Sequence, residues 1–222
     1  MRQTGLLFVL AVIVVLVATS CVRLPSPNPV NTQHYLLGNT PPAAPATTTT
    51  GLRVGLRKPD LADYLDNRPL VVRRGKNEIH FANLHRWGED LGPAINRVVG
   101  LNLETQPGIE SVDVVPWPQG AAFDHVVRLR VLRFEGVGPR PPGPDADDDA
   151  PVPEGHSQMT VSWTVFGPEG DSVQARGRTE HRVDGWPVTD YADLTSKLDT
   201  SLVVLAEDLR EHLSSLSARP PR

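Results

Sequence analysis

The chain has 222 residues, 22 of them proline, with 22 lysines and arginines against 26 aspartates and glutamates and a net charge of −4. That balance, with a sequence pI near 6.0, argues against nucleic-acid binding, which normally requires a clustered basic surface, and leaves local basic patches. A single cysteine excludes an internal disulfide.

Arg2 precedes an unbroken apolar stretch at residues 6–17, and Ala18, Thr19 and Ser20 stand directly before Cys21. This order predicts a secretory signal peptide over residues 1–20. About a dozen apolar residues are too few to span a roughly 30 Å hydrocarbon core comfortably. Small residues at 18–20 suit a signal peptidase, and the Cys21 thiol is the only nucleophile there that could carry a diacylglycerol. Val17 to Cys21 resembles a bacterial lipobox, with Ala18 where leucine is usual. The resemblance implies a lipoprotein acylated on Cys21, whose acyl chains, palmitate among them, each gain roughly 0.8 kcal/mol per buried CH₂. In enteric-type sorting an aspartate after the cysteine retains a lipoprotein in the inner membrane. Val22 and Arg23 stand there instead, which by that analogy favours the periplasmic face of the outer membrane.

Residues 21–50 carry the cysteine, six prolines from Pro25 to Pro45 and four threonines at 47–50. Such a composition predicts a mostly extended tether, which could touch the domain through His34, Tyr35, Leu36 and Leu37. From 51 to 217 the pattern is that of one globular domain, without internal repeats.

Within it, residues 52–57 alternate as a strand, 59–66 suit a short helix, 69–73 a second strand and 78–81 a third. Asp90 can cap a helix that places Leu91, Ile95, Val98 and Val99 on one face, and residues 111–115 resume strand. Residues 124–134 give the clearest strand, with Val127, Leu129 and Val131 on one face and Arg128 and Arg130 on the other. Its expected partner is 159–166, across a long solvated loop at 138–155 that holds six prolines and Asp147, Asp148 and Asp149. Another strand at 172–183 sets Arg176, Arg178, Glu180 and Arg182 on one face. The final helix starts near Thr189 or Asp190. Tyr191, Leu194, Leu198, Leu202, Leu205, Leu209, Leu213 and Leu216 recur at threes and fours, a stripe for packing on the sheet or for a homo-oligomer or partner seam. Together the elements predict a single α/β domain, a mixed β-sheet packed with helices and ending in a long C-terminal amphipathic helix.

A search for chemistry gives no catalytic set, metal site or cofactor. His80 and His85 are the nearest histidines and lack a third ligand or a metalloprotease pattern, Gly167-Pro168-Glu169-Gly170 reads as a turn, and no serine sits in a nucleophile elbow. The acidic run at 147–149 lacks the spacing of a calcium loop. Arg128, Arg130, Arg176, Arg178 and Arg182 could form a basic face toward anionic lipid or an acidic partner, if their strands are neighbours. Glu180 and Asp171, interspersed there, favour a merely solvated face.

Residues 64–75 and 79–91 contain Tyr64-Leu65-Asp66, Arg68-Pro69 and Arg86-Trp87-Gly88-Glu89-Asp90-Leu91. They resemble the ABC-type transport auxiliary lipoprotein family, which includes paraquat-inducible protein C. The likeness continues through Val114 to Trp117, the strand at 127–136 and the closing helix, with Asn67 inserted before Arg68 and an enlarged loop at 138–155. It implies an α/β domain without catalytic residues, working beside mammalian-cell-entry-type proteins that carry lipid between the two membranes. Arg68, Pro69, Arg86 and Trp87 match its motif, yet each has a scaffold role: Pro69 can open a strand, Trp87 can anchor the next helix, and Arg86 can pair with Glu89. The competing function is a lipoprotein regulator of a periplasmic cell-wall enzyme, and an envelope hydrolase is disfavoured because no nucleophile, base and orienting group assemble.

Overall fold

The computed structural model describes residues 31–38, 50–141, 143 and 151–217. Cys21, the signal segment, most of the tether and the acidic run at 147–149 lie outside the described residues. In chain order the strands are Gln33–Tyr35 (β1), Leu52–Leu56 (β2), Asp60–Leu61 (β3), Pro69–Arg73 (β4), Ile79–Trp87 (β5), Ile109–Val114 (β6), His125–Val137 (β7), Glu154–Phe166 (β8) and Val173–Pro187 (β9). Helix α1, Leu91–Glu104, joins β5 to β6, and helix α2, Tyr191–Ser217, follows β9.

All nine strands belong to one mixed sheet built around β7. One edge of β7 pairs antiparallel with β8, from Val126 opposite Phe166 to Val137 opposite His156, and β9 continues antiparallel beyond β8. Its other edge is shared in succession by β2, β3 and β4, all parallel to it. Outside β2 lies β6, and outside β4 lie β5 and then β1. The short helix expected over 59–66 is therefore divided: Asp60 and Leu61 pair with Arg130 and Val131, and only Asp63–Leu65 turns as a 3-10 helix. An open edge of β7 satisfies backbone groups that a one-turn helix would leave unpaired.

The alternation of β7 sets the two faces. Val127, Leu129 and Val131 are fully buried toward the helices, and a bulge at Leu132 shifts the register so that Phe134 and Gly136 continue on that face. Both helices pack there side by side. Leu194, Leu198, Leu202, Leu205, Leu209 and Leu213 are at most 1% exposed, each burial contributing about 1.5–3 kcal/mol before entropy. The leucine stripe is thus consumed by its own sheet, which removes it as a seam for a partner, apart from the half-buried Leu216. Gly177 permits the closest approach in this layer: a Cβ there would overlap the indole of Trp163, which sits between β9 and α2 with Nε1 donating to Thr179 Oγ1 at 3.2 Å.

The two helix starts differ. Asp190 caps α2, its Oδ1 accepting from the Asp193 amide at 2.9 Å. Asp90 holds the N-cap position of α1 but makes no capping bond, because its carboxylate accepts from Arg68 Nη2 at 3.0 Å.

On the opposite face, residues 115–124 cover one end of the sheet through Trp117 and Phe123, which pack with Val126 and Phe166. Further along, the carboxylate of Glu135 is fully buried and accepts from Arg73 Nε at 2.6 Å and Arg133 Nε at 2.9 Å. Tyr64 lies nearby, its phenol pushed up to about 12 by burial and by Glu135.

Candidate functional site

The motif residues gather where β4, β5 and α1 meet. Pro69 opens β4 opposite Arg86 of β5, and the Arg68 carbonyl accepts from the Trp87 amide at 2.7 Å. Trp87 is 4% exposed and its ring lies 6.0 Å from Phe134, so it ties this corner to the core. Arg86 does not reach Glu89. Its Nε donates to the Asn83 carbonyl at 2.9 Å, while Glu89 takes Arg97 Nη2 at 2.5 Å. The reason is strand geometry: Arg86 still belongs to β5 and points away, whereas Arg97 lies two turns into α1 and folds back toward its start. Arg68 and Asp90 are both well exposed, so their pair is worth about 0–1 kcal/mol.

The five arginines expected to form a basic surface occupy the sheet face away from the helices. Their strands are not neighbours, because β8 separates β7 from β9. Cross-strand rows run Arg128, Thr164, Arg176 and Arg130, Ser162, Arg178, while Arg182 aligns with Gln158 and Glu135. Two strand spacings put the arginine columns about 10 Å apart, with small hydroxyl side chains between them. Asp60 approaches Arg128 at 4.0 Å, Glu180 approaches Arg178 at 3.7 Å, and Asp184 binds Arg182 at 2.6 Å. Hydrogen bonding to Arg182 holds the Asp184 carboxyl below its ordinary value. Arg130 and Arg176 form no ion pair among the described residues. The face therefore keeps an excess of positive charge spread over a wide, shallow area, which suits contact with an acidic surface.

The contact expected through His34, Tyr35, Leu36 and Leu37 takes the form of an added strand that fastens the N-terminal segment. β1 runs parallel to the end of β5, with Gln33, His34 and Tyr35 opposite His85, Arg86 and Trp87. Tyr35 Oη lies 2.9 Å from His85 Nδ1, and the imidazole stacks on Tyr191 with ring centroids 3.9 Å apart. Leu37 is 2% exposed, the Leu37 carbonyl accepts from Arg97 Nη2 at 3.1 Å, and the Gly38 amide donates to Asp199 Oδ1 at 2.8 Å. Burial holds His85 below the ordinary imidazole value and raises Tyr191. Periodicity carried no sign that the contact is a strand, because three residues are too few to show alternation.

Among the described residues no group of three His, Cys, Asp or Glu side chains could hold a metal ion, and no helix is long and apolar enough to cross a membrane.

A family model for the ABC-type transport auxiliary lipoprotein component matches residues 35–209. The chain belongs to this family. The match runs from Tyr35 of β1 into the last third of α2, so it takes in the N-terminal attachment, the motif corner and the arginine face. The crystal structure of protein XCC0632 from Xanthomonas campestris is similar, with 15% identity and a TM-score of 0.63 over 84% of this chain and 97% of that one. A second crystal structure, of an uncharacterized protein, has 15% identity and a TM-score of 0.56 over 82% of this chain and 99% of that one. At such identity these two share the fold. No curated protein matches the chain.

The family makes this chain an auxiliary lipoprotein component of an ABC-type transport system.

Proposed function

We propose that the chain is a non-enzymatic accessory subunit of a mammalian-cell-entry-type lipid transport system, anchored by acylated Cys21 to the periplasmic face of the outer membrane and supporting envelope integrity. The observation that carries this reading is the family match over residues 35–209. The arginine face supports it as a surface of the right charge for an acidic partner.

The attachment of β1 adds a dimension to the anchor. A tether reaching to residue 50 could extend about 100 Å, whereas β1 begins a dozen residues after Cys21, a reach of at most about 40 Å.

The full chain purified from native membranes tests the anchor. The N-terminal peptide should begin at Cys21 and carry the added mass of acyl chains, and Cys21→Ala should release the protein from the membrane fraction. An unmodified residue 21 in a soluble protein would contradict the proposal.

A further inference from the structure

At the end of the outward sheet face away from Phe123, Arg73, Lys76, Arg133 and Arg182 surround an open depression with His156 in its wall. These side chains come from β4, the turn after it, β7, β8 and β9, and only the sheet register brings them together. Arg73 aligns with Val137, Val137 with His156, and Gln158 lies between Glu135 and Arg182.

Glu135, buried beneath, explains how two guanidinium groups are held side by side. It accepts Arg73 Nε at 2.6 Å and Nη2 at 3.3 Å, and Arg133 Nε at 2.9 Å. One carboxylate can neutralise one guanidinium, so a positive charge remains. Arg182 is occupied by Asp184. Both Nη groups of Arg133 and the ammonium of exposed Lys76 have no partner among the described residues. They are the donors left for something outside the protein. His156 is held below the ordinary imidazole value by burial and then by Arg182 and Arg133, so near neutral pH it adds an N–H without adding charge.

We infer that this depression binds a phosphate-bearing anion. Arg133 presents a planar fork and Lys76 a point charge from an adjacent side, a combination that matches the several oxygens and the charge of a phosphate monoester. Glu135 is the positioning residue that keeps Arg73 and Arg133 in place. The site is open on one side, which accommodates phosphate carried on a larger molecule as readily as the free ion. It stands independently of the transport role proposed above.

The test titrates the full chain in detergent, at low ionic strength, with inorganic phosphate, dihexanoyl phosphatidic acid and dihexanoyl phosphatidylcholine. Saturable binding of phosphate or phosphatidic acid, at least about tenfold tighter than phosphatidylcholine, is expected. Lys76→Gln and Arg133→Gln should each weaken it by about tenfold, and Lys58→Gln, an exposed lysine between β2 and β3 outside both the depression and the arginine face, should leave it unchanged. Lys76 sits on an exposed turn, so its variant probes the site without disturbing Glu135. Equal affinity for phosphate and phosphatidic acid assigns the free anion; preference for phosphatidic acid assigns a lipid headgroup. Absence of saturable binding, equal binding of phosphatidylcholine, or affinity unchanged in both Lys76→Gln and Arg133→Gln would overturn the inference.

Discussion

Tyr35 and His85, fifty residues apart in the chain, meet with the phenol 2.9 Å from the imidazole Nδ1 and with stacked rings 5.9 Å apart. Their contact fastens the segment leading from the proposed anchor onto β5 as the edge strand of the sheet, beside the first turn of α2.

Tyr35→Ala should loosen this segment without unfolding the domain. One partly exposed hydrogen bond and one ring contact are worth about 1–2 kcal/mol together. Amide exchange at residues 33–38 should accelerate, with the amides of β7 and β8 unchanged. Equal acceleration across the sheet would show instead that β1 is integral to the core.

Stability should fall as the solution is acidified below neutrality. His80, His85, His125 and His156 are all held below the ordinary imidazole value, with burial the largest cause in each. A depressed folded value means that the unfolded chain binds more protons as pH drops through about 6.5. The stabilisation is fully present above that pH and is lost progressively toward the folded values. The thermal midpoint should therefore decline between pH 7.5 and 5. His125, 7% exposed at the foot of α2 with Nε2 near Ser217 Oγ, should account for a large part. A His125→Gln variant with an undiminished pH slope would contradict this assignment.

Glu135→Gln should cost about 3 kcal/mol, because it leaves Arg73 and Arg133 close together without their shared counter-charge. Arg73→Ala should cost more than Arg133→Ala, since the Arg73 side chain is 20% exposed and makes two bonds to Glu135, against 36% and one. Urea denaturation measures all three, and a reversed order would show that the exposed guanidinium carries the group.

The family motif should divide in two. Trp87→Ala removes a buried indole and should cost about 3–5 kcal/mol. Arg68→Ala and Arg86→Ala, on exposed side chains, should each cost under about 1 kcal/mol. If either arginine variant keeps full stability yet loses its transport partner, that arginine is a contact residue and the scaffold reading of it fails.

The layers were legible because they repeat. Val127, Leu129 and Val131 announced a two-sided strand, and the leucines of α2 announced a helix with one buried face. What was hidden depended on pairing between distant segments. Residues 59–66 look helical alone, but the edge of β7 takes Asp60 and Leu61 into the sheet. β5 continues to Trp87 rather than ending at 81, since β1 and β4 pair with its polar end. Asp90 looks like a cap, and Arg68, 22 residues away, takes its carboxylate. The five arginines were readable as outward, while the insertion of β8 between their strands was not. Nor could Arg73, Arg133 and Glu135 be seen as a group, because only the bulge at Leu132 and the alignment of β4 with β7 bring them together.

Crosslinking the full-length protein in native membranes, purifying it and identifying the attached proteins by mass spectrometry decides between a transport partner and a cell-wall enzyme. A mammalian-cell-entry-type transport component should be recovered with wild type and diminished with Cys21→Ala. Recovery of a cell-wall synthase in its place, unaffected by that substitution, would contradict the proposed transport role.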